Sequence, residues 1–281
     1  YVGKALAYIT REPKFESFFA IEMMFLGNTE ALAVSSLQLN RMKADRCLTL
    51  AMMSMSCITA AMVGIYTKMM PGEFIITAIP LNVINALIVT NILHPVKIAE
   101  EEDTVARVND GGQEREPFFS FLGNSILGAG RLILIICANV IAFVALAKLI
   151  DMLLIIVHPA LTLENILGCI MFPFAWLMGL DTGEAFQLGQ YMGTKLVTNE
   201  FVVMLNVQDV LGEFSRHMQG VLTVFVTSFA NFSTLGMIIG CFKGLVDDSK
   251  NELISRNVGY MLLSGILVSL LSAGIAGMFI W

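Results

Sequence analysis

Long apolar runs separated by short charged segments dominate the hydropathy pattern of this chain. An α-helix needs about 20 apolar residues to cross a bilayer, and each of these runs is near that length and bounded by charge or proline. The pattern therefore predicts an all-α polytopic membrane protein. Its five predicted spanning helices cover residues 48–69, 74–93, 132–149, 221–244 and 258–281.

Two further apolar regions, 15–40 and 179–205, are interrupted by polar residues near their centres. Irregular backbone at membrane depth is tolerated only where protein or a water-filled cavity covers it. We therefore predict that each region is a re-entrant helical hairpin, which enters the membrane part-way and returns. The interrupting carboxylates and amides are Glu22, Asn28, Glu30, Gln187, Asn199 and Glu200.

The distribution of Lys and Arg predicts how these elements are oriented. If the basic clusters all lie on the cytoplasmic side, as short loops favour, the two hairpins enter from opposite faces of the membrane. That arrangement is typical of an inverted repeat. Short polar runs at 56–61 and 228–234 also predict that two of the spanning helices are broken at membrane depth, which frees backbone groups to bind a polar ligand.

The same pattern predicts four regions. Residues 1–96 form the first repeat half, with an interfacial helix, one hairpin and two spanning helices, and residues 97–117 form a charged cytoplasmic linker. Residues 118–158 hold an interfacial amphipathic helix, at 118–130, and a scaffold spanning helix. Residues 159–281 form the second half, with an interfacial helix at 163–174 closed by Pro173, the second hairpin and two spanning helices.

Composition supports a membrane location and excludes some functions. Of the 281 residues, 56% are hydrophobic and 14% are charged, and the mean hydropathy is +0.75. The net charge of −6 leaves no basic face, so we expect no nucleic-acid partner. The five cysteines lack CxxC spacing and clustered histidines, so we expect them to be packing residues and not a metal site. We also expect no cofactor. Because the chain opens at Tyr1, we expect it to be the C-terminal part of a longer protein.

Three polar residues are the candidate chemistry of the membrane interior: Glu30, Glu200 and Asn231. Intramembrane carboxylates are costly and usually functional, and these three can meet near the midplane, where inverted-repeat transporters bind substrate. Other interpretations stay open. The glutamates could cap helices, and Asn231 could form an interhelical hydrogen bond in a passive channel or a structural subunit. We expect no enzyme, because no serine has a histidine at a matching depth in the membrane.

Three strings resemble the motifs of the concentrative nucleoside transporters, and they occur in order along essentially the whole chain. They are GNTE at 27–30, TKLVTNEFV at 194–202 and SFANFST at 228–234. The chain most resembles the bacterial nucleoside permease branch. The resemblance implies a homotrimer in the inner (plasma) membrane that imports nucleosides by cation symport, with an elevator-like movement of a transport domain past a scaffold.

The resemblance also implies roles for individual residues. Asn28 stands where the family usually has glutamine, which puts the base preference in doubt. The implied nucleobase contacts are Gly27, Asn28, Thr29 and Glu30; the implied ribose contacts are Glu200, Asn231 and Thr234; and Phe229 and Asn199 would pack against the substrate.

The resemblance bears on the coupling ion as well. Two side chains of the family's sodium site correspond here to Met23 and Ala61. Because a thioether and a methyl group are poor ligands for a hard cation, we predict proton coupling, with Glu30 or Glu200 as the group that carries the proton. Sodium coupling through a degraded site is the alternative.

Overall fold

The computed structural model describes residues 12–105 and 117–281, and its regular elements in these ranges are helical. The first range holds six α-helices: α1 Lys14–Leu26, α2 Asn28–Val34, α3 Ser36–Arg41, α4 Ala44–Ser54, α5 Ala60–Tyr66 and α6 Gly72–Leu93. The second range holds eight: α7 Phe118–Val157, α8 Leu163–Leu177, α9 Thr182–Val197, α10 Glu200–Val207, α11 Arg216–Val226, α12 Phe232–Leu245, α13 Asp248–Arg256 and α14 Val258–Gly277.

The two halves of the chain share an order of elements. A helix pair (α1 and α2, or α9 and α10) is followed by a helix that stops and restarts (α4 and α5, or α11 and α12) and then by a long helix. The breaks fall at 55–59 and 227–231, close to the predicted 56–61 and 228–234. The first break ends earlier than predicted, so Ala61 lies within α5. The re-entrant path of the pairs and the inverted repeat stay predictions.

The turn between α1 and α2 depends on Gly27. Its φ of 100° lies in the left-handed region that side chains other than glycine rarely adopt. A Cβ atom at this position would also lie 2.9 Å from Cβ of Thr59, at the end of the first break. The turn between the two helices and the break in α4–α5 are therefore in direct contact.

The division of residues 118–158 into two helices is wrong. A single helix, α7, runs from Phe118 to Val157. At 1.5 Å per residue it is about 60 Å long, which exceeds the thickness of a bilayer. The predicted boundary rested on Gly130 and Arg131, but a single glycine weakens a helix by only about 1 kcal/mol and does not end it.

The helix predicted at 163–174 also differs. It continues through Pro173 to Leu177, and it packs along α9. The backbones approach closely because glycines face each other. A Cβ atom on Gly189 would lie 2.7 Å from the carbonyl oxygen of Gly168, and one on Gly193 would lie 2.8 Å from that of Glu164. Small residues at such contacts are typical of helix pairs in membranes.

Within the described part of the chain, two helices are long and apolar enough to cross a membrane by length and composition, namely α6 and α14. Two shorter helices, α8 and α12, are also apolar. Buried apolar side chains form two main clusters, one centred on α9, α11 and α14 and the other on α1, α4 and α12. Helix α14 joins the halves by packing against both α6 and α11.

Candidate substrate site

A cavity of about 400 Å³ opens where the two helix pairs meet the two broken helices. All the predicted substrate residues except Gly27 line it, and Gly27 forms the adjoining turn. Met23 is not among the lining residues. The lining consists of Asn28, Thr29, Glu30, Thr59, Met62, Tyr66, Asn199, Glu200, Phe201, Phe229, Asn231, Ser233, Thr234 and Met237. The structure thus brings the candidates together, while their contacts with a substrate stay predictions.

Glu200 is buried and held by two donors from different elements. The hydroxyl of Tyr66 donates to Oε1 at 2.9 Å, and Nδ2 of Asn231 donates to Oε2 at 3.2 Å. Glu200 also begins α10, where the backbone N–H groups at the start of the helix favour a negative charge. Its carboxylate is therefore oriented at the cavity before any ligand binds.

Two asparagines cap the helices that restart beside the cavity. Oδ1 of Asn199 accepts from the backbone N–H of Val202 at 3.0 Å, and Oδ1 of Asn231 accepts from that of Thr234 at 2.8 Å. The capping hydrogen bonds orient both side chains and start the helices at these residues. Through Nδ2, Asn231 also makes an interhelical hydrogen bond, to Glu200. Such a bond was the alternative interpretation of this residue.

The first helix pair contributes another edge of the cavity, through Asn28, Thr29 and Glu30. Both polar atoms of the Asn28 amide contact the protein, since Nδ2 donates to the carbonyl of Ser54 at 3.2 Å and Oδ1 accepts from the N–H of Thr29 at 2.9 Å. The hydroxyl of Thr29 donates to Oε2 of Glu30 at 2.8 Å. Glu30 is exposed, whereas Glu200 is buried.

Of the two positions assigned to a degraded sodium site, Met23 and Ala61, the structure describes the side chain of Met23. Met23 is fully buried, and the hydroxyl of Ser54 lies 3.8 Å from its Sδ. The side chain of Ala61 lies outside the part of the structure that is described. Within the described residues, no group of three or more His, Cys, Asp or Glu side chains could hold a metal ion.

Sequence reasoning missed two residues of this region. Tyr66 is fully buried at the end of α5, and a single hydroxyl in an apolar run gave no sign of its partner. Lys195 is fully buried in the last turn of α9 and donates to the carbonyl of Phe225 at 2.8 Å. Its position inside the 194–202 string, five residues before Glu200, was the available signal.

Comparison with known proteins identifies the family. A family model described as "Na+ dependent nucleoside transporter C-terminus" matches residues 74–277. The purine nucleoside transport protein NupG of Bacillus subtilis is 45% identical over 280 residues, which are 100% of this chain and 70% of NupG. The chain belongs to the concentrative nucleoside transporter family. Because this is a family of transporters, the chain is part of a membrane protein and not of an enzyme.

More distant members of the family match over almost the same length. The nucleoside permease NupC of Helicobacter pylori is 28% identical over 99% of this chain and 68% of its own. The structure of CNTnw in an inward-facing substrate-bound state superimposes with a TM-score of 0.83 at 24% identity, over 99% of this chain and 68% of CNTnw. This likeness shows that the chain has the concentrative nucleoside transporter fold.

Proposed function

We propose that the protein containing this chain is a secondary active nucleoside transporter that works by an elevator-like alternating-access movement. The observation that carries this proposal is the oriented, buried carboxylate of Glu200 in a cavity formed by both helix pairs and both breaks. The names of NupG and NupC support nucleosides as the substrate class. Family membership does not favour a passive channel or a structural subunit.

The ribose end of the substrate is assigned to the second half of the chain. A carboxylate can accept hydrogen bonds from two adjacent hydroxyl groups, and such charge-assisted bonds are strong and directional. Glu200 supplies the carboxylate, and Asn231 and Thr234 lie beside it at the start of α12. Phe229 and Asn199 complete this side of the cavity and would pack against the sugar.

The base end is assigned to the first helix pair, with a purine as the preferred base. Asn28 is one methylene shorter than glutamine, and its amide is directed to Ser54 and Thr29, so the cavity keeps extra room at this edge. Thr29 and Glu30 would supply the polar contacts to the base. The relative NupG is a purine nucleoside transport protein, which agrees with a larger base.

Proton coupling is proposed for the driving ion. The thioether of Met23 is buried at a position where a hard cation would require oxygen ligands. Of the two candidate carriers, Glu30 is the better one, because its side chain is exposed at the cavity. Glu200 is instead held by two donors and lies near the positive charge of Lys195. The family description names sodium, so sodium is the alternative to be tested.

A homotrimer in the inner (plasma) membrane is proposed for the full-length protein. Helix α7 supports this proposal, because it presents large apolar side chains that are exposed within the described part of the chain. Ile133, Leu134 and Ile141 are 61%, 71% and 69% exposed. Such a surface suits contact with lipid or with neighbouring subunits.

Uptake into proteoliposomes tests the function and the driving ion together. The full-length protein would be given inosine or uridine under a proton gradient alone or a sodium gradient alone. We expect accumulation of inosine above the external concentration with protons only, and weaker accumulation of uridine. Accumulation with sodium only would overturn proton coupling and keep nucleoside transport. Equilibration without accumulation would indicate a passive channel.

A further inference from the structure

Lys195 is a fully buried cation that the proposed substrate contacts do not use. Its Nζ atom donates to the backbone carbonyl of Phe225 at 2.8 Å and to the hydroxyl of Ser228, and it lies 3.4 Å from the hydroxyl of Ser269. The ammonium also lies 4.5 Å from the centre of the Phe225 ring. One side chain from α9 therefore contacts the end of α11, the second break and α14.

The backbone at the second break explains why a cation fits here. Helix α11 ends at Val226, so the Phe225 carbonyl does not have the N–H partner that a continuous helix would give it four residues later. Carbonyls at the end of a helix carry partial negative charge and favour a cation. In transporters with broken helices, such half-helix ends can coordinate the coupling cation. Here an ammonium attached to the chain lies at that position.

The first break lacks this arrangement. At the corresponding end of α4, the carbonyl of Ser54 accepts from the neutral amide of Asn28 at 3.2 Å. The two halves thus terminate their broken helices with different chemistry, a neutral amide in one and a charged ammonium in the other.

Lys195 also balances the charge of Glu200. Both side chains are buried, Lys195 in the last turn of α9 and Glu200 at the first residue of α10, so the two opposite charges flank the same turn. A buried charge without a partner is strongly destabilising. The break that Lys195 contacts at Ser228 continues to Asn231, whose amide donates to Glu200. The ammonium is therefore linked to the carboxylate both by charge and through the backbone of the break.

We propose that Lys195 is a positioning residue that serves as a tethered cation at the second break. It fixes the segment 227–231 so that Asn231 remains against Glu200, and it neutralises the carboxylate, so that this part of the site carries little net charge through the membrane. The role in substrate binding rests on the proposed function, whereas the role as a cation at the break does not.

Chemical rescue tests this proposal in the full-length protein. Replacing Lys195 by Ala removes a group equivalent to propylammonium, so that ion can enter the space that is left, and 1-propanol is its uncharged control. Inosine affinity would be measured by calorimetry in detergent at fixed pH. We expect Lys195→Ala to bind about tenfold more weakly or worse, and propylammonium, but not propanol, to restore most of the loss. Lys195→Met should bind weakly without rescue.

Thermal unfolding tests the role of Lys195 as a cation independently of nucleoside binding. Propylammonium should raise the thermal unfolding midpoint of Lys195→Ala but not that of the wild type, whether or not inosine binds. Absence of inosine binding to the wild type would contradict the proposed function alone. Equal rescue by propanol, or wild-type affinity in Lys195→Met, would overturn the role of the charge.

If Lys195→Ala does not fold, the acceptors can be changed instead. The double variant Ser228→Ala with Ser269→Ala keeps the lysine and removes two of its partners. Several-fold weaker inosine binding, with a monodisperse protein, would support the proposal. Unchanged affinity in this variant would overturn it.

Discussion

At the scale of single residues, the cavity depends on donors that hold Glu200 in place. Tyr66 belongs to the first half of the chain and Asn231 to the second, so one carboxylate joins the two halves at the cavity. This arrangement makes the geometry of Glu200 sensitive to substitutions that leave its charge unchanged.

Replacing Tyr66 by Phe should weaken nucleoside binding. The substitution removes one donor to a buried carboxylate and keeps the ring, so we expect a loss of about five- to tenfold in affinity. Tyr260→Phe is the matched control, because Tyr260 is 52% exposed on α14. Calorimetric titration with inosine measures both. Equal affinities would show that the Tyr66 hydroxyl does not support the site.

Replacing Asn28 by Gln should change the base preference. The added methylene would fill the edge of the cavity assigned to the base, so the ratio of inosine to uridine affinity should fall several-fold. Competition between the two nucleosides in an uptake assay measures this ratio. An unchanged ratio would mean that position 28 does not limit the size of the base.

At the scale of elements, the contact between α8 and α9 sets the position of the second half of the cavity, since α9 leads to Asn199 and Glu200. The two helices approach closely at Gly168 and Gly189. Because the neighbouring group is backbone, it cannot move aside as a flexible side chain would.

Gly189→Ala should therefore destabilise the protein by about 1 to 3 kcal/mol, the usual cost of overfilling a packed contact. Gly240→Ala is the control, because a Cβ atom there would have nothing within 4 Å. Thermal unfolding in detergent measures the difference in midpoint. A Gly189→Ala variant as stable as Gly240→Ala would show that the two helices can separate at no cost.

Polar interruptions in apolar runs predicted the elements around the cavity well, whereas the bounds of α7 and α8 were predicted less well. The strings at 27–30, 194–202 and 228–234 place small and polar residues where helices turn or stop, because such residues weaken helices and cap their ends. Helix α7 was divided incorrectly because hydropathy alone does not distinguish an interfacial helix from the extension of a spanning one. The partners of Tyr66 and Lys195 depend on tertiary packing, which local pattern does not contain.

At the scale of the whole molecule, a buried ion pair connects the first helix pair to the rest of its half. Arg46 of α4 donates to both carboxylate oxygens of Glu16 of α1, each at 2.8 Å, and also to the carbonyl of Glu102 after α6. The side chains of Arg46 and Glu16 are 3% and 4% exposed.

Glu16→Gln should destabilise the fold, because it leaves the buried Arg46 without a counter-charge. Removing one partner of a buried pair typically costs about 3 to 5 kcal/mol. Glu252→Gln breaks an exposed pair with Arg256 and should have little effect. Thermal unfolding of both variants checks this. Similar midpoints would indicate that water replaces Glu16 as the partner of Arg46.

Nucleoside recognition depends on Glu200 binding the ribose hydroxyls in the cavity, and a comparison of inosine with 3′-deoxyinosine tests this most directly. The wild-type protein, and the control Glu213→Gln with its exposed side chain, should bind inosine about tenfold or more tightly than the deoxy analogue. Glu200→Gln should bind inosine weakly and lose most of this discrimination. If Glu200→Gln discriminated between the two ligands as well as the wild type does, Glu200 would not be the group that binds the ribose.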